Sequence, residues 1–108
     1  MQVRIMLKAL ALEILDAENG QVALDFIGAR SIDLVLTDIN MPVLDGFGLI
    51  QQTRASERGE RIPIVVMTSR EADADFDHAF ELGANSYVSK PLVKDELITV
   101  IRRHLQIS

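Results

Sequence analysis

The 108-residue sequence has no cysteine, no tryptophan, one tyrosine and three prolines. No apolar run approaches the ~20 residues that a membrane-spanning helix needs. Without cysteine there can be no disulfide framework, thiol nucleophile or zinc–thiolate site. The opening residues, MQVRIMLKAL, lack the basic start and small-residue cleavage site of a signal peptide, so a cytoplasmic location is the default expectation. Cations are scarce as well: 11 Lys and Arg against 16 Asp and Glu leave a net charge of −5. That balance argues against a nucleic-acid groove or an anionic membrane as the main partner. The chain has no repeats, low-complexity tract or linker, and its length suits one domain with a real core.

What is present is an alternation of short apolar runs and helix-period segments. Ser31 to Asp38 contains one strand, Ile62 to Thr68 a second and Ser86 to Ser89 a third, with Leu12-Glu13-Ile14-Leu15 expected as a fourth. The two central runs are apolar without alternation, as suits strands covered by helices on both faces. Helices are expected over Gln21 to Ala29, about Gly46 to Ser56 capped by Asp45, Ala72 to Leu82 ending at Gly83, and Leu92 to Leu105. Phe76, Ala79 and Phe80 form one apolar side; Leu97, Val100, Ile101 and Leu105 form another. Strand–helix alternation of this kind predicts an α/β fold built on a parallel sheet.

Ligands of such sheets gather outside the carboxyl ends of the strands. Here the three strands end in turn on Asp38, Thr68 and, just past the third, Lys90. Each residue has a plain structural reading: a turn former, a β-branched strand residue and a Lys-Pro turn. Together they place an acid, a hydroxyl and an ammonium on one edge, near positive helix N-termini. A carboxylate nucleophile facing cationic and hydroxyl groups suits the acceptance of a phosphoryl group.

Four stretches in order carry a resemblance that covers the chain from about Val3. DLVLTDINMPVLDG at 33–46 resembles the phosphoacceptor segment of two-component response-regulator receiver domains. Ala17-Glu18-Asn19-Gly20 resembles the turn into their second helix, PIVVMTS at 63–69 their fourth strand, and GANSYVSKP at 83–91 their fifth strand. The resemblance implies a flavodoxin-like doubly wound parallel sheet of order 2-1-3-4-5. It implies that Asp38 accepts a phosphoryl group from a sensor histidine kinase or phosphotransfer protein, with Thr68 and Lys90 meeting phosphoryl oxygens. Thr68 and Tyr87 would form the switch, altering the face of the family's helix 4, strand 5 and helix 5, where a downstream protein docks. It further implies a cis Lys90-Pro91 bond, and a magnesium ion held by Asp38 and the backbone carbonyl of Asn40.

One part of the pattern departs from the family. A receiver opens with a central strand ending in two metal-holding acids, and no such pair precedes the first helix here. Val3, Met6, Leu7 and Leu10 instead fall at helical spacing. The expectation is a single receiver-like domain, N-terminally truncated relative to the family, with the first strand missing or replaced. The gap would be closed by a sliding second strand, a second copy in a homodimer, or an upstream segment. Glu13, Asp16 and Glu18 read as a solvated charged edge, so the metal site is expected to be incomplete and magnesium-dependent phosphorylation of the isolated chain weak or absent. Two function classes follow: a phosphorylated signalling receiver, or a degenerate pseudo-receiver acting as an interaction module. An enzyme is not expected. Asn40 stands where a haloacid-dehalogenase-type phosphatase needs a second acid, and no phosphate loop suggests a flavin. Arg102 and Arg103 read as helix-dipole partners, not as a nucleic-acid contact.

Overall fold

The computed structural model describes residues 12–39, 43–57, 59–69 and 73–105. Among these residues the apolar runs form three strands, β1 (Val35–Asp38), β2 (Ile64–Ser69) and β3 (Ser86–Lys90). All are parallel, in the order β1-β2-β3. Register runs from Val35↔Ile64 to Asp38↔Met67 on one side of β2 and from Val65↔Ser86 to Ser69↔Lys90 on the other. The helical pattern at Val3 to Leu10 and the residue Asn40 lie outside the described residues.

Among the described residues four helices cover the sheet: α1 (Gly20–Ala29), α2 (Gly46–Ala55), α3 (Asp73–Leu82) and α4 (Lys94–Leu105). The unbroken apolar run of β2 is explained by burial on both faces. Ile64 and Val66 pack with Ile27, Leu49, Ile50 and Ala79 from α1, α2 and α3. Val65 points the other way and packs with Val88, Leu97 and Ile101 beneath α4. Ile64, Val65 and Val66 are fully buried, each contributing roughly 1.5–3 kcal/mol by leaving water. The fold is therefore doubly wound and flavodoxin-like.

The helix ends follow local chemistry. The Asn19 side chain accepts from the Val22 amide at 3.0 Å and starts α1. Asp45 accepts from the Gly48 amide at 2.9 Å and starts α2. After α3, Gly83 takes φ 124°, where a side chain would also strike the stem of Arg54. Asp95 and Glu96 in the first turn of α4, and Arg102 and Arg103 in its last, complement the helix dipole.

Two expectations are corrected. Residues 12–17 form no strand. Leu12 and Ile14 pack into the core under α4, while Glu13 points out to Arg30 at 2.8 Å. The run therefore alternates inward and outward as a strand does, but a cleft of about 620 Å³ lies between residues 12–19 and β1, too wide for a ladder. The second correction concerns α3, whose apolar side is split: Ala79 is fully buried while Phe80 is 60% exposed. Ala79 packs in the cluster with Ile64 and Val66 of β2, and Phe80 lies outside that cluster.

Far from the carboxyl edge, Arg54 at the end of α2 joins two loops. Its Nη1 donates to the carbonyls of Gly59, Glu60 and Ile62 at 2.9, 3.3 and 2.7 Å. Its Nε and Nη2 donate to Gly83 O at 3.0 and 2.8 Å, and Nη2 also reaches Asn85 Oδ1 at 2.7 Å. The same Asn85 oxygen accepts from the Ile64 amide at 2.8 Å. Burial pulls the Arg54 guanidinium below its ordinary pKa, yet an arginine starts so high that it stays charged.

Candidate functional site

The register fixes which strand-end residues are neighbours. Asp38 is the last residue of β1 and Lys90 the last of β3, with β2 between them. Successive side chains of a strand point to opposite faces. Leu34 and Leu36 lie on the α4 side, as does Val88, so Asp38 and Lys90 fall on that side too. Lys90 Nζ donates to Asp38 Oδ2 in an ion pair that spans the end of β2. Thr68 lies on β2 one residue past the partner of Asp38 and is buried. It shares the face of Ile64 and Val66, opposite that of the pair. Among the described residues its hydroxyl makes no hydrogen bond to Asp38 or Lys90.

The backbone below the carboxylate is held closely. The Gly46 amide donates to Ile39 O at 2.8 Å, and a Cβ at position 46 would come within 2.5 Å of Asp38 O. Only glycine lets the start of α2 press against the end of β1 in this way. The Gly20 amide donates to Leu44 O at 3.1 Å, tying the turn before α1 to the loop after β1. Thr37 Oγ1 donates to Asp38 O at 2.9 Å. In the same loop, Val43 has φ 68° and is 82% exposed. A β-branched residue in that region is strained, typically by about 1–3 kcal/mol. The Lys90-Pro91 peptide is cis.

Tyr87 is 46% exposed at the edge of β3. Its ring lies 4.4 Å from that of Phe76, which in turn lies 6.0 Å from Phe80. The sequence reading brought Asp38, Thr68 and Lys90 together on one edge; the structure joins Asp38 and Lys90 and leaves Thr68 on the other face of β2, and the reading missed Gly46 and Arg54. A glycine following a capping aspartate was the available signal for Gly46. Arg54 gave none, because its partners are mostly main-chain oxygens.

Asp38 shares its cleft with Glu13, Asp16, Glu18 and Asp33. Among the described residues no three acidic or histidine side chains lie close enough together to hold a metal ion. The one carboxylate at the strand ends is already paired with an ammonium, which competes with any cation. The described donor set therefore does not fit a magnesium ion, and Asn40 lies outside it.

A parallel sheet wound on both faces, with an acid and an amine meeting at its carboxyl edge, defines a flavodoxin-like class of α/β domain. The model of the response regulator receiver domain family matches residues 1–102, and the chain belongs to that family. It is thus a receiver domain of two-component signalling. It is 39% identical over 90 residues to a probable cyclic di-GMP phosphodiesterase of Vibrio cholerae, covering 83% of this chain and 20% of that protein. It is 31% identical over 107 residues to the sensor histidine kinase CheAY of Helicobacter pylori, covering 97% of this chain and 13% of that protein. The chain thus spans a small part of these relatives. Among solved structures, a putative response regulator from Chloroflexus aurantiacus superposes with a TM-score of 0.93 at 27% identity, covering 97% of this chain and 86% of that one. The receiver domain of a Pseudomonas aeruginosa sensor histidine kinase, solved with magnesium in its active-site cleft, gives 0.89 at 28% identity, with the same coverage. Among the described residues no helix is long and apolar enough to cross a membrane.

Proposed function

We propose that this chain accepts a phosphoryl group on Asp38 from a histidine kinase or phosphotransfer protein and relays that event through the face of α3, β3 and α4. The observation that carries this reading is the Asp38–Lys90 ion pair across the sheet's carboxyl edge. In the step, an Asp38 carboxylate oxygen attacks phosphorus, the P–N bond of phosphohistidine breaks, and the imidazole leaves with the bonding pair and takes a proton. An acyl phosphate results. Lys90 already sits at the carboxylate, so its ammonium faces the charge that the new phosphoryl oxygens bring. Thr68, one residue further along β2 and buried on its opposite face, is read as the hydroxyl that turns toward them on phosphorylation, and Tyr87 as the aromatic that follows on the adjoining strand. The chain is read as a cytoplasmic signalling module and not as an enzyme.

Metal supply limits the reaction. With one described carboxylate at the strand ends, magnesium is held weakly, and the yield of acyl phosphate is low. The test is intact-mass measurement after incubation with acetyl phosphate and graded magnesium. We expect substoichiometric labelling that rises with magnesium and vanishes in Asp38→Asn. Stoichiometric labelling at low magnesium would overturn the incomplete metal set. No label at any magnesium concentration favours the second reading, a pseudo-receiver that binds partners without phosphorylation, for which the lack of an acid cluster among the described residues speaks.

A further inference from the structure

Among the described residues β1 pairs with β2 alone, and its other edge faces the cleft of about 620 Å³ bounded by residues 12–19. The Val35 amide donates to Pro63 O at 2.9 Å, on the β2 side. Alternate residues of a parallel strand bond to opposite neighbours, so Leu34 and Leu36 turn their amides and carbonyls toward the cleft. Both are half-buried, whereas Val35 between them is buried. The far wall runs in the same direction as β1. Glu13 is tied at 2.8 Å to Arg30, which precedes β1, and the Gly20 amide at 3.1 Å to Leu44 O, which follows it. Apolar side chains line the cleft from both helix layers, Ala23, Ile27 and Leu49 from one and Ile101 and Leu105 from the other. A strand covered on both faces fills about 160 Å³ per residue, from ~3.3 Å of rise, ~4.8 Å of strand spacing and ~10 Å of sheet thickness. The cleft thus holds about four such residues, and β1 beside it has 4.

We infer that this cleft binds an extended segment of another protein chain, which joins the sheet as a strand parallel to β1. The segment is apolar on both faces, because both helix layers line the cleft, and it is flanked by lysine or arginine. Glu13, Asp16, Glu18, Asp33 and Asp38 line the cleft against a single cation, Arg30, which already pairs with Glu13. Lys90 reaches Asp38 from outside the lining. Residues 1–11 are too few to supply both a strand parallel to residues 12–19 and the crossover of about a dozen residues or more that parallel neighbours need. The described residues of a second copy offer no such run either. Their exposed large apolar side chains, Val43, Phe80, Tyr87 and Val93, stand apart on different elements and loops. The assignment does not depend on phosphoryl transfer at Asp38.

The test is amide hydrogen exchange of the full chain, read residue by residue by nuclear magnetic resonance. The probes are a valine–isoleucine peptide flanked by lysines, its counterpart N-methylated at alternate residues, and its counterpart flanked by glutamates. In the free chain we expect the Leu36 amide to exchange faster than that of Val35, which is bonded to Pro63 O. The lysine-flanked peptide is expected to slow Leu36 exchange saturably by at least about tenfold and to leave Val35 unchanged. The N-methylated peptide, which lacks ladder donors, is expected to bind at least about tenfold more weakly, and the glutamate-flanked peptide about three- to tenfold more weakly. Equal binding of the N-methylated peptide overturns the inference, because a plain apolar pocket then suffices. Equal binding of the glutamate-flanked peptide overturns it as well, and so does the absence of any effect at Leu36. A Leu36 amide as protected as Val35 before any peptide is added means that the cleft is already filled. Protection lost on dilution then assigns it to a second copy, and protection independent of concentration to the chain itself; both overturn the inference.

Discussion

Lys90 and Arg54 are two cations at opposite ends of the same sheet, and they are bonded in opposite ways. Lys90 makes an ion pair with one carboxylate, at side-chain exposures of 41% and 29% for the two partners. Arg54 spreads its guanidinium over the carbonyls of Gly59, Glu60, Ile62 and Gly83 and the side chain of Asn85. A partly exposed ammonium on a flexible stem can change partners at little cost. A planar fork engaged on every side cannot. The amine occupies the end of the fold where the bond must be exchangeable, and the guanidinium occupies the corner that must stay fixed.

Breaking the fixed end produces the largest effect. Arg54→Ala leaves several partly buried carbonyls without donors, and we expect it to cost about 2–4 kcal/mol in urea unfolding. Arg54→Lys recovers little of this, because an ammonium cannot serve both loops at once. Full recovery by lysine would show that charge, and not the fork, holds the corner. Lys90→Ala is next: its partners are exposed enough that stability falls by less than about 1 kcal/mol, while acetyl-phosphate labelling of Asp38 drops sharply. A Lys90→Ala protein as unstable as Arg54→Ala would erase the distinction between the two ends. The smallest change has the opposite sign. Val43 holds a strained backbone in the loop leaving Asp38, so Val43→Gly is expected to raise thermal stability by about 1 kcal/mol or slightly less, after the entropy that glycine costs the folded chain. Destabilisation instead would mean that the valine side chain contributes more than its backbone strain removes.

This contrast also marks what could be read before the structure. Asp38 and Lys90 were legible because each ends an apolar run, and parallel strands bring their ends together. Asp45 and Gly83 were legible as caps, since each acts on residues adjacent in sequence. Leu12 to Leu15 misled because alternation reports which side chains face the core, not whether a neighbouring backbone is close enough for a ladder. Phe80 misled for a related reason: helical spacing gives a face, but it does not say how much of that face the core covers. Gly46 depends on the approach of two backbones, and Arg54 on carbonyls that every residue carries. Neither leaves a pattern in side-chain chemistry.

The Arg54 corner has a consequence for how this sequence can drift. Four of its acceptors are main-chain oxygens, and a replacement at Glu60 would still present its carbonyl, whereas a side chain at Gly59 would strike Thr53 O. Substitutions at the exposed Glu60 and Arg61 should therefore be tolerated freely, while inserting or deleting a residue between Thr53 and Ile62 moves the acceptors out of reach. In this loop, length is under tighter constraint than composition.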